Sequence, residues 1–97
     1  MNREDGITFE WDEQKRQTNI VNRGVDFTDA AKVLEDPKVL IEPDIRYDYG
    51  EARFNAYGLV SEKRYCVCFT IRGENVIRVI SMRKVHLKEW KKYYDNH

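Results

Sequence analysis

The chain has 97 residues, 41% of them apolar, with 17 basic and 17 acidic side chains that cancel to a net charge of zero. That is enough for one small core, and its two tryptophans, six tyrosines and four phenylalanines exclude a disordered chain. No apolar run approaches the ~20 residues of a membrane span and no signal peptide opens the sequence, so the reading is one cytoplasmic domain over residues 1–97, frayed over 1–6.

Ile7 to Trp11 alternates apolar with polar, the period of a half-buried strand. Asp12 can cap a helix from Glu13 to Arg23, thinly apolar and so lying on the surface, and Gly24 stands where a left-handed residue ends it. A second helix is capped by Asp26 and carries Phe27, Ala30, Ala31 and Leu34 as one stripe, closing at Asp36 before Pro37. Val39 to Ile41 reads as a short strand, and Asp44 to Glu51 as a loop with tyrosines over an apolar edge. Arg53 to Val60 is a strand, followed by a turn at Ser61 to Lys63. Arg64 to Arg72 and Asn75 to Arg83 are rich in β-formers, and the short polar turn between them makes an antiparallel hairpin. A last helix runs from about Lys84 to Tyr94, with Leu87, Trp90 and Tyr94 on one face and Lys84, Lys88, Lys91 and Lys92 on the other. The order predicts an α+β fold: an antiparallel sheet of four or five strands with helices on one face, two of them N-terminal and one C-terminal.

Cys66 and Cys68 lie two apart on one strand, about 7 Å from each other, too far for a relaxed disulfide. Two cysteines without further ligands make a poor zinc site, and no metal or cofactor is expected.

The neutral total hides a segregation. Residues 1–52 hold 7 basic and 13 acidic side chains; residues 53–97 hold 10 and 4. Either the second half attracts a polyanion, or the two halves neutralise each other across the fold. Arg53, Arg64, Arg72, Arg78 and Arg83 fall on three neighbouring strands, and a planar guanidinium suits phosphate because it donates two parallel hydrogen bonds. Strict alternation puts Arg78 with Val76, Ile80 and Met82 on one face and Arg83 with Ile77, Val79 and Ser81 on the other, unless a bulge intervenes. Each arginine could equally sit at a strand end with its head in water, or pair with an acid. On the last helix His86, Glu89 and Tyr93 are candidates for proton transfer, though a histidine on a helix shoulder is more often a surface residue. Tyr47, Tyr49 and Tyr57 are candidates for stacking on bases. With no glycine-rich phosphate loop, no catalytic Ser/His/Asp pattern and no metal spacing, an active site here would have to work without metal, and RNA fits that requirement because its own 2′-hydroxyl can attack the adjacent phosphate.

These residues together resemble the BrnT family of toxins from bacterial type II toxin–antitoxin modules. Phe9-Glu10-Trp11-Asp12, Lys15, Asn19, Gly24, Val25 and Phe27 follow its "FEWD…K…N…HGV.F" signature, and Ala30-Ala31 with Asp36-Pro37 its "EAA.VF.DP" segment. Gly50 to Phe54 with Gly58 is similar to "GE.RF…G", Arg72 and Arg78 to Arg83 to "R…RIISAR", and Glu89 and Tyr93 to the closing "E…Y". Arg23 stands where many members have histidine, Met82 replaces a small residue, and Lys84-Val85 replaces Arg-Ala. The resemblance implies a RelE-like fold and a metal-independent endoribonuclease that inhibits translation. It also implies a ribbon–helix–helix, BrnA-like antitoxin, forming a heterotetramer in which any DNA contact belongs to the antitoxin. By the same resemblance the catalytic set is Arg64, Arg72, Arg78 and Arg83 for phosphate binding with Tyr93 or Glu89 for proton transfer, and Arg53 would support the site or its partner; Arg53, Lys84 and Lys88 are also candidate RNA contacts on the basic surface. Two alternatives use the same basic surface: a non-catalytic RNA- or ribosome-binding module, and a protein-interaction domain.

Overall fold

Three long strands from the second half of the chain pair in sequence order, and the remaining elements are added at their edges and faces. The computed structural model describes residues 6–94. Its elements are β1 (Thr8–Trp11), α1 (Glu13–Arg23), a 3-10 turn (Phe27–Asp29) leading into α2 (Ala30–Leu34), β2 (Leu40–Pro43), β3 (Phe54–Val60), β4 (Lys63–Arg72), β5 (Val76–Lys84) and α3 (Leu87–Tyr93). The sheet order is β1-β5-β4-β3-β2. β2 to β5 are antiparallel, but β1 runs parallel to β5, so the sheet is mixed and not the purely antiparallel one expected. About two thirds of the chain separates β1 from β5, and without a tight turn between them either direction is open.

Local chemistry explains the boundaries. Asp12 accepts the Lys15 backbone N–H at 3.1 Å to start α1, and Gly24, at φ 67°, ends it by donating to the Ile20 carbonyl at 2.8 Å. The second helix is shorter than its stripe suggests, because Phe27 to Asp29 tighten into the 3-10 turn and Glu35 ends the helical run. The third starts late. β5 continues to Lys84, opposite Tyr65, and the Val85 N–H bonds the Arg64 carbonyl.

Alternation fails once, in β5. Ser81 pairs with Cys68 but Val79 pairs with Phe69, which leaves Ile80 as an extra, bulged residue. Arg78 and Arg83 therefore stand on the same face, opposite Thr70 and Cys66, while Met82 joins Val79 and Ile77 in the core.

Both faces of the sheet are partly covered, which corrects the expectation of helices on one face alone. On the first, α1 and α2 pack on β3, β4 and β5 around Phe27, Val33, Val67, Phe69 and Met82. On the second, α3 lays Trp90 against Tyr57, Cys66 and Val85, while Leu87, predicted to share its apolar face, stays exposed. Two polar contacts fix the first layer. Buried Asn19 donates to the carbonyls of Val25 at 2.8 Å and Met82 at 2.9 Å, tying α1 to β5. Asp36 accepts the Leu59 N–H at 2.7 Å, drawing the end of α2 onto β3.

Gly58 is where α2 touches β3. A Cβ there would lie 2.7 Å from the Val33 carbonyl oxygen. Gly58→Ala is expected to cost about 1–3 kcal/mol through overpacking, read as a lower urea midpoint at unchanged m-value. Asn19→Ala should cost about 1–3 kcal/mol by leaving two buried carbonyls unpaired, measured in the same way.

Candidate active site

The covering of the second face is incomplete. α3 protects one end of it, and beside α3 lies an open cleft of about 380 Å³. Asn55, Tyr57, Cys66, Cys68 and Ser81 form its floor, Arg83 with Glu89 and Tyr93 one wall, and residues 42–53 the other.

The second wall is a loop built around one carboxylate. Asp44 has a side chain only 1% exposed, and its oxygens accept from Arg46 Nε and Nη2, both at 3.0 Å, and from the Tyr49 hydroxyl at 3.1 Å. Its own N–H donates to the Arg53 carbonyl at 2.7 Å, which closes the loop. The Arg46 guanidinium beside it holds the Asp44 carboxyl down at about 2, against a burial effect that opposes this. Arg46 nevertheless keeps a side chain 69% exposed, so it can meet a ligand. Arg53 lies over the Tyr49 ring, 4.1 Å from its centre, and pairs with Glu51 at 3.2 Å.

On the opposite wall Arg83 and Glu89 form a two-bond fork, with Nη1–Oε1 and Nη2–Oε2 both at 2.7 Å. The pairing lowers the Glu89 carboxyl and raises the guanidinium, so both are charged at neutral pH. Tyr93 stacks on Tyr57 with ring centres 5.7 Å apart. Burial pushes the Tyr57 hydroxyl up and the Cys66 thiol up to about 11, so neither ionises near neutrality. Cys66 and Cys68 are free thiols, and among the described residues no group of three or more His, Cys, Asp or Glu could hold a metal ion.

The cleft gathers part of the expected set. Arg53, Arg83, Glu89 and Tyr93 line it; Arg64, Arg72, Arg78, Lys84 and Lys88 do not. Arg78 pairs with Glu10 of β1 at 2.8 Å, Arg72 with Glu51 at 3.5 Å, and Arg64 donates to the Val85 carbonyl at 3.2 Å. The arginines therefore do not converge on one point, and all five are already matched to an acceptor. Lys84, Lys88 and His86 are exposed, the last at the start of α3. Tyr57 is buried in the floor and offers no free platform, whereas Tyr47 is 69% exposed. Arg46, Asp44 and Ser81 also line the cleft and belong to no motif; the only mark of Arg46 in the sequence is its place two residues after Asp44 in the loop.

The comparisons with known proteins decide the family. A family model described as the ribonuclease toxin BrnT of type II toxin–antitoxin systems matches residues 11–89. The chain belongs to this family. A crystal structure of the ribonuclease toxin BrnT from Brucella abortus superposes with a TM-score of 0.66 at 31% identity, covering 82% of this chain and 97% of that one. No curated protein matches. The toxin is thus the ribonuclease half of a type II module, which implies an antitoxin partner. Among the described residues no helix is long and apolar enough to cross a membrane.

For this toxin, Asp44→Asn should loosen the loop wall and cost about 1–3 kcal/mol at pH 7. Because the folded carboxyl sits at about 2 against an ordinary 3.8, its stabilisation is present above about pH 4 and lost as pH falls towards 2. Urea midpoints should therefore fall over that window in the wild type and less so in the variant.

Proposed function

We propose that the toxin is a metal-independent endoribonuclease that cuts RNA in the cleft between α3 and the 42–53 loop, and so inhibits translation. The observation that carries this reading is the Arg83–Glu89 fork on the cleft wall, faced by Arg46 and Arg53. A backbone phosphate entering the cleft competes with Glu89 for the Arg83 guanidinium. Each carboxylate oxygen that loses its N–H donor becomes more basic, so phosphate binding frees a base beside the bound strand. Glu89 then takes the proton of the 2′-hydroxyl, whose oxygen attacks the adjacent phosphorus and expels the 5′-oxygen of the next nucleotide. Arg46, Arg53 and Arg83 stabilise the charge that builds on the phosphoryl oxygens. Tyr93, stacked on Tyr57 beside Glu89, is the candidate proton donor to the leaving oxygen. Arg64, Arg72, Arg78, Lys84 and Lys88, outside the cleft, extend the field that attracts the strand. The fold grouping is RelE-like in this reading. The partner is a BrnA-like ribbon–helix–helix antitoxin in a heterotetramer, which covers the toxin and makes any DNA contact.

One observation favours a second reading. Among the described residues no histidine lines the cleft, whose lining there includes no group that ordinarily titrates near neutral pH. A module that binds RNA or the ribosome without cutting, or one that docks an acidic protein, uses the same cations.

Glu89→Gln separates the readings. With the base removed and Arg83 released, cleavage of labelled RNA should fall at least about 100-fold, while RNA affinity by fluorescence polarisation holds or rises. Equal cleavage by the variant removes Glu89 from the chemistry; a wild type that binds RNA but never cuts it favours the second reading. Cleavage is expected to persist in excess chelator. Substituting Arg46, Arg53 and Arg83 together with alanine should abolish both binding and cleavage in a protein that still unfolds cooperatively.

A further inference from the structure

β1 ends at Trp11, opposite Val79, and from Ile80 onward the edge of β5 has α1 beside it in place of a strand. Between them runs a second groove, of about 490 Å³, lined by Lys15, Thr18, Asn22 and Arg23 of α1 with Phe27 and the bulged Ile80. Lys15, Thr18 and Asn22 are three and four residues apart, so they share one face of the helix. Ile80 also lines the cleft. The bulged Ile80 is thus common to both depressions, one on the second face of the sheet and one at its edge.

The cations of this groove differ from those on the strands. Arg53, Arg72, Arg78 and Arg83 each face a carboxylate, whereas Lys15 and Arg23 are exposed and take part in none of the ion pairs among the described residues. Asp12 is the carboxylate on the groove wall, and its Oδ1 is engaged by the Lys15 backbone N–H at the start of α1. An anion entering here displaces no partner. Asn22 and Gln14 add amides able to meet base edges. Phe27 is 1% exposed, so little apolar surface is on offer to a peptide.

We propose that this groove is a second subsite for single-stranded RNA, in which Lys15 and Arg23 hold phosphates of the strand as it leaves the cleft past Ile80. The proposal rests on the ribonuclease reading of the cleft. It makes Lys15 and Arg23 substrate-holding residues that reward a longer strand and take no part in the chemistry.

The test uses a trinucleotide and a nonanucleotide, both 2′-O-methylated so that neither can be cut through the 2′-hydroxyl, with the wild type and the K15A/R23A double variant. Both side chains are exposed, so the variant's unfolding midpoint is expected to match the wild type. Its affinity for the nonanucleotide should fall about tenfold or more, and the slope of log affinity on log salt should shrink by about 1.4, for two phosphate contacts on a single strand. Trinucleotide affinity should be unchanged, and the conservative K15R/R23K variant should restore the longer strand's affinity. Unchanged nonanucleotide binding overturns the subsite and leaves the cleft reading standing. Equal losses at both lengths also overturn it, since they place the two residues at the cleft itself. Intact RNA binding with lost antitoxin binding overturns it in favour of a protein contact. A wild type that binds neither strand overturns the ribonuclease reading together with the subsite.

Discussion

One extra residue in β5 determines how this protein presents its charge. In a regular strand Arg78 and Arg83, five positions apart, would face opposite ways, and one of them would meet the apolar layer under α1 and α2. Burying an unpaired guanidinium there would cost several kcal/mol, a large share of a small domain's stability. The bulge at Ile80 removes the conflict by turning both arginines to the second face and Met82 inward. The same displacement falls where β1 ends, so the strand edge is left free for α1 and the groove beside it.

Each cation on the second face is then matched to its surroundings. Glu10 on β1 and Glu51 before β3 come from the acidic half of the chain and meet Arg78, Arg72 and Arg53 from the basic half. Half-exposed pairs of this kind add little stability. Their effect is to keep a dense set of like charges tolerable on one face. Arg83 is the cleft's special case, because its acid lies on α3 and its two bonds are short and parallel. In the mechanism we propose, a phosphate competes for that guanidinium and so couples binding to the appearance of a base. The neutral total and the segregated halves are consistent once the pairs are known: neutralisation runs across the rim, while Arg46, Lys15 and Arg23 keep accessible charge on the wall and the groove.

The loop from 42 to 53 shows how a site can be held without secondary structure. Asp44 is almost wholly enclosed, and a buried carboxylate is tolerated because Arg46, Tyr49 and backbone groups satisfy it. Those bonds pin Arg46 and orient Tyr49, over whose ring Arg53 lies. A polar loop thereby becomes a wall held by side-chain hydrogen bonds. Facing it, α3 supplies the other wall, anchored by Trp90 and by the Tyr94 hydroxyl, which donates to the Lys38 carbonyl at 2.6 Å.

Local patterns in the sequence were sufficient for much of this. Two-residue alternation and β-branched composition identify β3, β4 and β5 and their hairpins, because neighbouring strands joined by short turns have one way to pair. Asp12 and Gly24 mark α1, because caps act on backbone groups a few residues away. The ordered family motifs, from Phe9-Glu10-Trp11-Asp12 to Glu89 and Tyr93, were legible for the same reason. What depended on distant contacts was decided only by the tertiary structure. β1 runs parallel to a strand more than sixty residues away, α3 crosses to the second face, and Arg46 enters the site because Asp44 folds its loop inward. The bulge belongs with these, since a residue leaves the alternation when the layers on either side of β5 demand it. Residue types state which charges exist; only packing states which of them already have a partner.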